Sequence, residues 1–159
     1  MPSVPEKLMP PAGEKLVLYA HASGKQIYLC QRRAGQKAEW SLKAPEATLF
    51  DTDRKQIGEH FFGPRWRHKD GSEVTGKVIA KMDSPGADSV PWLLMRASDH
   101  SGRGVFDHVT SIQRIHTVGG APPPSTACLE NSLGREAPVP YSADYYFYSP
   151  KGLPGESQE

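Results

Sequence analysis

The sequence has no long apolar run, almost no net charge, only two cysteines and no stretch of sustained helical periodicity. Its longest apolar run, around Trp92 to Met95, falls far short of the ~20 residues a membrane helix needs, so no membrane span is expected. A formal charge of +1 gives no general attraction to phosphate or anionic lipid, and nucleic acid is not expected as a partner. Familiar catalytic signatures are missing too: there is no G-x-S-x-G elbow, no P-loop and no H-E-x-x-H. Gly102-Arg103-Gly104 lacks the third glycine and the strand–helix setting of a dinucleotide fingerprint. Asp51-Thr52-Asp53 opens like a calcium loop, but Lys55 and Gln56 stand where an oxygen ligand and a glycine belong, so it reads as a polar turn. Cys30 and Cys128 fit neither a C-x-x-C pair nor a metal-ligand spacing. They are either two separate buried thiols or one bridge closing a long loop, which would stabilise by up to ~4.7 kcal/mol. The opening Met1-Pro2-Ser3-Val4-Pro5 has no apolar signal core. That leaves an intracellular protein, or a chain that starts after a cleaved signal.

Glycine and proline, by contrast, are abundant at fifteen each. Both break helices and punctuate turns, and they are spread along the whole chain. This predicts an all-β fold, an antiparallel barrel or sandwich of about ten short strands with few helices. Residues 1–13 read as an extended lead-in, 14–149 as a single domain and 150–159 as a flexible tail. Leu16 to His21 and Gln26 to Cys30 read as a first hairpin broken at Ser23-Gly24. Trp40 to Leu42 and Ala47 to Asp51 follow as separate strands. Gly63-Pro64 and Asp70-Gly71 predict tight turns. Around Val109 to Val118, Ile112 and Ile115 lie three apart, which calls for a bulge or a helical turn. Tyr141 to Tyr148 is an aromatic, β-prone final strand.

Histidines are the main candidates for chemistry. His60 and His68 flank a segment bent at Gly63-Pro64, which can bring both to one side beside Trp66. Across a first hairpin, His21 would share a face with Gln26, Tyr28 and Cys30 and line a barrel cavity; the same set fits a solvated outer face equally well. Gln113, Arg114 and His116 form another polar group, with Arg114 able to hold a carboxylate through two hydrogen bonds. Asp99-His100-Ser101 places three triad residue types side by side, although triads are assembled by the fold rather than by adjacency. The tyrosines near 145 read as core and edge packing, or as a platform for a flat ligand.

With these residues laid out, the sequence resembles the domain of unknown function 3455 family, found in bacteria and fungi. The resemblance rests on Val4-Pro5, Pro11-Ala12-Gly13-Glu14, His21-Ala22-Ser23-Gly24 with Gln26, Tyr28 and Cys30, and Trp40 with Leu42 to Ala47. It continues through His60-Phe61, Gly63-Pro64, Trp66, Asp70-Gly71-Ser72, Gly76-Lys77-Val78, Pro91 to Leu94, Gly104-Val105-Phe106 and Ile112-Gln113-Arg114. Thr117 to Gly120, Cys128 and Val139 to Tyr148 complete it. The match is looser at Arg65, Arg67-His68-Lys69 and Asp107-His108. Members of that family commonly look exported, so the resemblance implies an oxidising compartment and a Cys30–Cys128 disulfide. It carries no catalytic residue over. The reading that follows is a secreted or periplasmic module binding a small polar or aromatic ligand through His21, Gln26, Tyr28, His60, Trp66, Gln113 and Arg114. A cytoplasmic protein is the alternative compartment. The alternative functions are a hydrolase or isomerase using histidine acid–base chemistry in the same cavity, a copper or zinc protein using His21 and His60, and a structural surface protein without a ligand. The sequence names no cofactor and no oligomeric state.

Overall fold

A computed structural model of the chain describes residues 2–152. Eight antiparallel strands follow one another around a closed barrel: β1 (Glu14–Gln31), β2 (Glu39–Phe50), β3 (Gln56–Phe61), β4 (Arg65–His68), β5 (Glu73–Met82), β6 (Trp92–Ser101), β7 (Ser111–Gly119) and β8 (Glu136–Pro150). Each strand pairs with its sequence neighbour, and β8 returns to β1, with pairs running from Glu14–Pro150 to Leu29–Glu136. Closure removes the exposed strand edges that an open sheet would offer to other chains. The all-β reading holds; among the described residues, helix is confined to three single 3-10 turns.

The strand count differs from expectation because two apparent breaks are not breaks. Ser23-Gly24 does not turn the chain, and β1 runs straight through it. A side chain at Gly24 would put its Cβ 2.1 Å from the Glu46 carbonyl oxygen and 2.5 Å from Ala47 Cα, so glycine here permits a close approach of β2. On β2, Pro45 also lies within a strand. A register shift between Ile27 and Tyr28 accommodates the irregularity beside it. The expected irregularity in β7 is a bulge: pairing with β8 shifts between Ile115 and Val118, and His116 takes a left-handed φ of 51°. The turns at Gly63-Pro64 and Asp70-Gly71 fall where they were expected.

Strand alternation sends one set of side chains into the barrel. Ala20, Ala22, Leu49, Ile57, Trp66, Val74, Met95, Ile112, Tyr145 and Phe147 share that core. Small residues face large ones: Ala20 is paired with Tyr145 across the β1–β8 seam. Gly76 makes room for the indole, since a Cβ there would come within 3.1 Å of Trp66 Cζ3. Phe106, from the β6–β7 connection, packs on Phe147 at 4.6 Å between ring centres. Asp70 and Ser72 hold that connection, accepting hydrogen bonds from the backbone N–H groups of Val105 and Phe106. This fills one end of the barrel.

The other end is built differently. Cys30 at the end of β1 is bridged to Cys128 in the β7–β8 connection, with Cα atoms 5.5 Å apart. Outside the barrel, the 3-10 turn Glu6–Leu8 lies against β5 and β6, and Leu8 is fully buried.

Candidate functional site

An uninterrupted β1 decides where its polar residues go. Residues two apart share a face, so Ala20, Ala22, Gln26, Tyr28 and Cys30 point inward and Tyr19 and His21 point outward. The expected grouping of His21 with Gln26 and Tyr28 needed a hairpin at Ser23-Gly24. Without that turn, His21 lies on the opposite side of the barrel wall.

Inside, towards the disulfide end, a chamber of about 300 Å³ receives side chains from all eight strands, including Gln26, His60, Trp66, Leu93, Arg114 and Tyr145. Leu42, Phe62 and Val78 line it as well and are otherwise exposed, giving the mouth an apolar rim. His60 and Trp66 face each other on β3 and β4, and their rings stack in parallel at 4.5 Å. Tyr145 meets both edge-on. The Nδ1 of His60 lies 3.0 Å from the Arg65 carbonyl oxygen. A carbonyl only accepts, so Nδ1 carries the proton and Nε2 is left as an acceptor. Burial pushes the His60 imidazole down to about 3; the bond to Arg65 opposes this and the Arg114 charge adds to it. His60 is therefore neutral at physiological pH. Tyr141 and Tyr145 share a hydroxyl contact at 3.2 Å, and burial raises the Tyr141 phenol well above its ordinary range.

Two buried polar atoms on residues that line the chamber have no partner among the described residues: Gln26 Oε1 and Trp66 Nε1, on residues that are 1% and 0% exposed. Leaving a buried donor or acceptor unpaired costs about 1–3 kcal/mol each. Arg114 donates from Nε and Nη2 to the Pro91 carbonyl, at 3.0 and 2.9 Å. Among the described residues no carboxylate pairs with it.

Of the seven residues expected to hold a ligand, the fold thus brings together Gln26, His60, Trp66 and Arg114. Tyr28 also points inward, but its hydroxyl donates to the Gly120 carbonyl at 2.5 Å. Gly120 lies over the barrel interior with φ 87°, where a Cβ would come within 2.8 Å of Tyr141. Gln113 lies outside the barrel under the lead-in, one residue out of phase with Arg114. It donates to the Leu8 carbonyl at 2.8 Å and accepts from Tyr148 at 2.6 Å, so it serves as a strap for the N-terminal segment. His68 shares the inner face with His60 but meets Phe106 at the filled end. In Asp99-His100-Ser101, alternation turns His100 away from its neighbours, and its Nε2 lies 2.6 Å from the Val109 carbonyl.

A second polar cluster, invisible to local reading, is centred on Asp144 on the outer wall. Its Oδ1 accepts from Tyr19 at 2.9 Å and His21 at 2.8 Å, and its Oδ2 from His116 at 2.8 Å. These residues come from β1, β8 and the β7 bulge. Burial alone would raise the Asp144 carboxyl, but the bonds from His21, His116 and Tyr19 hold it below its ordinary value. Burial, with the nearby carboxylate, pushes the Tyr19 phenol up to about 12. An open groove of about 610 Å³ lies beside Tyr19 and His21, lined also by Phe50, Thr52 and Arg54. It is larger than the chamber, yet the polar groups of the cluster beside it are already paired with one another. His21 and His60, on opposite sides of the wall, cannot share a metal ion. Among the described residues no group of three or more His, Cys, Asp or Glu side chains is placed to hold one.

A family model described as protein of unknown function (DUF3455) matches residues 11–149. The chain belongs to the DUF3455 family. No curated protein and no solved structure matches it. The family stretch Val139 to Tyr148 supplies Tyr141 and Tyr145 to the inner face and Asp144 to the outer one. The disulfide implied by the family resemblance is formed. No helix among the described residues is long and apolar enough to cross a membrane.

Proposed function

We propose that this DUF3455 protein is an exported binding module that holds one small, flat, polar or aromatic molecule in the chamber at its disulfide end. The supporting observation is the pair of buried, unpartnered polar atoms, Gln26 Oε1 and Trp66 Nε1, in a space walled by His60, Trp66 and Tyr145. Small-molecule sites are mostly apolar enclosures with a few converging polar groups, and this one is at the small end of their usual range. The Cys30–Cys128 bridge supports export, because structural disulfides persist in oxidising compartments. Histidine acid–base chemistry in the same cavity has less support. The chamber histidine is held neutral with no carboxylate beside it, whereas His21 and His116, which pair with Asp144, stand outside.

Native mass spectrometry of protein purified from its own organism tests the proposal. The expected result is a retained small molecule, lost on denaturation and absent from a Trp66→Leu variant that keeps its disulfide and fold. Uniformly ligand-free protein that also gains no thermal stability from a panel of small aromatic compounds would overturn it.

A further inference from the structure

Resting on that reading of the chamber, we infer that its ligand is an anionic hydroxy-aromatic molecule, a ring carrying a carboxylate that Arg114 neutralises. Arg114 lines the chamber as a permanent cation. Its two hydrogen bonds go to a carbonyl oxygen, which fixes the guanidinium without neutralising it. The other ionisable side chains around the space do not balance it. His60 is neutral, and Tyr145 and Tyr141 are tied to each other through their hydroxyls. Lys43, at the wall, adds a second cation, and its ammonium pairs outside with Glu136. No aspartate or glutamate lines the chamber. The Arg114 charge reaches across this space: it disfavours protonation of His60 and favours the ionised forms of Tyr28 and Tyr141. A cation without a paired carboxylate in a half-open, apolar-walled site invites an anion. A carboxylate is the planar partner that a guanidinium holds best.

The remaining features specify the rest of the molecule. Stacked and edge-on aromatic walls favour a flat ring. A volume of about 300 Å³ limits it to one or two rings. Gln26 Oε1 accepts and Trp66 Nε1 donates, and neither finds a partner among the described residues. A ring hydroxyl has the chemistry to answer either, since it both donates and accepts. The apolar rim of Leu42, Phe62 and Val78 suits an aromatic body entering from solvent.

Isothermal titration of the intact, disulfide-bonded protein with three probes separates this inference from the broader one. The probes are 4-hydroxybenzoate, 4-hydroxybenzamide and benzoate. 4-Hydroxybenzoate is expected to bind tightest, with the amide and the deoxy acid each weaker by about ten-fold or more. Arg114→Gln should abolish the preference for acid over amide by weakening the acid far more than the amide. Arg114→Lys, which keeps the charge but loses the fork, should restore part of it. Equal affinity for acid and amide, or an acid preference that survives Arg114→Gln, would overturn the anionic assignment and leave the chamber as a binding site. Failure of all three probes to bind at millimolar concentration would overturn this assignment; the broader reading would then stand or fall on the mass spectrum of the native protein.

Discussion

Two polar clusters lie on opposite sides of the same barrel wall, and they handle their hydrogen bonds in opposite ways. Around Asp144, three donors from three strands converge on one carboxylate. At the chamber, an acceptor and a donor have no partner among the described residues, and a cation hydrogen-bonds a carbonyl with no carboxylate paired to it. The outer cluster is a fastening: it stitches β1, β8 and β7 where the barrel closes. The inner one leaves buried polar atoms unpaired, which lowers the stability of the protein on its own. The larger of the two depressions lies beside the fastening rather than at the chamber.

Breaking the disulfide should have the largest effect on both regions, but unequally. The bridge closes a separation of 98 residues, and Cys30→Ser with Cys128→Ser should cost on the order of 4 kcal/mol. Chemical denaturation measures the loss. Hydrogen exchange should place the first loosening in residues 120–135, at the chamber end, with the Asp144 strands protected longer. Uniform loosening would contradict the division between the two ends.

Asp144→Asn should come next, at about 1–3 kcal/mol, because an amide cannot accept from donors on both sides. Its pH dependence carries a definite sign. The folded carboxyl lies below its ordinary 3.8, so its contribution is fully present above that value and fades as pH falls through the lower folded value. Acid unfolding of the wild type should therefore include a component below about pH 4 that the Asn variant lacks. Parallel stability curves for the two proteins through that range would remove the carboxylate from the account.

The smallest expected effect has the opposite direction. Gln26→Met replaces a buried amide whose oxygen is unpaired with an apolar side chain of similar length. The free protein should hold its stability or gain up to about 1 kcal/mol, while titration with the hydroxylated acid weakens. A clear loss of stability would show that Gln26 supports the barrel rather than the guest.

Much of this fold was legible from turns and alternation, and most of the error came from two residues. Gly24 reads as a turn, but it serves a backbone approach that only the neighbouring strand reveals. Pro45 lies in the gap between two expected strands, but it pairs with Gln26 inside an unbroken β2. Because side chains alternate, the misplaced hairpin carried His21 to the wrong side and hid its true partner. Half of the chamber set was readable because His60 and Trp66 flank one short turn and are paired across it. Arg114 was singled out but grouped with Gln113, its neighbour in sequence and its opposite in space. Asp144 gave no local signal at all, since its partners Tyr19 and His21 lie 125 and 123 residues away.

The β1–β8 seam has one more consequence. Glu14 faces Pro150, and the Lys151 N–H donates to the Gly13 carbonyl, so positions far apart in the chain become next-door neighbours. The architecture is then a ring whose starting point is arbitrary. A short linker across that gap, with new ends opened in the exposed turn at residues 51–55, should yield a circular permutant with the same barrel. In such a permutant the seam forms between adjacent segments, and the step of bringing distant strands together moves elsewhere in the chain.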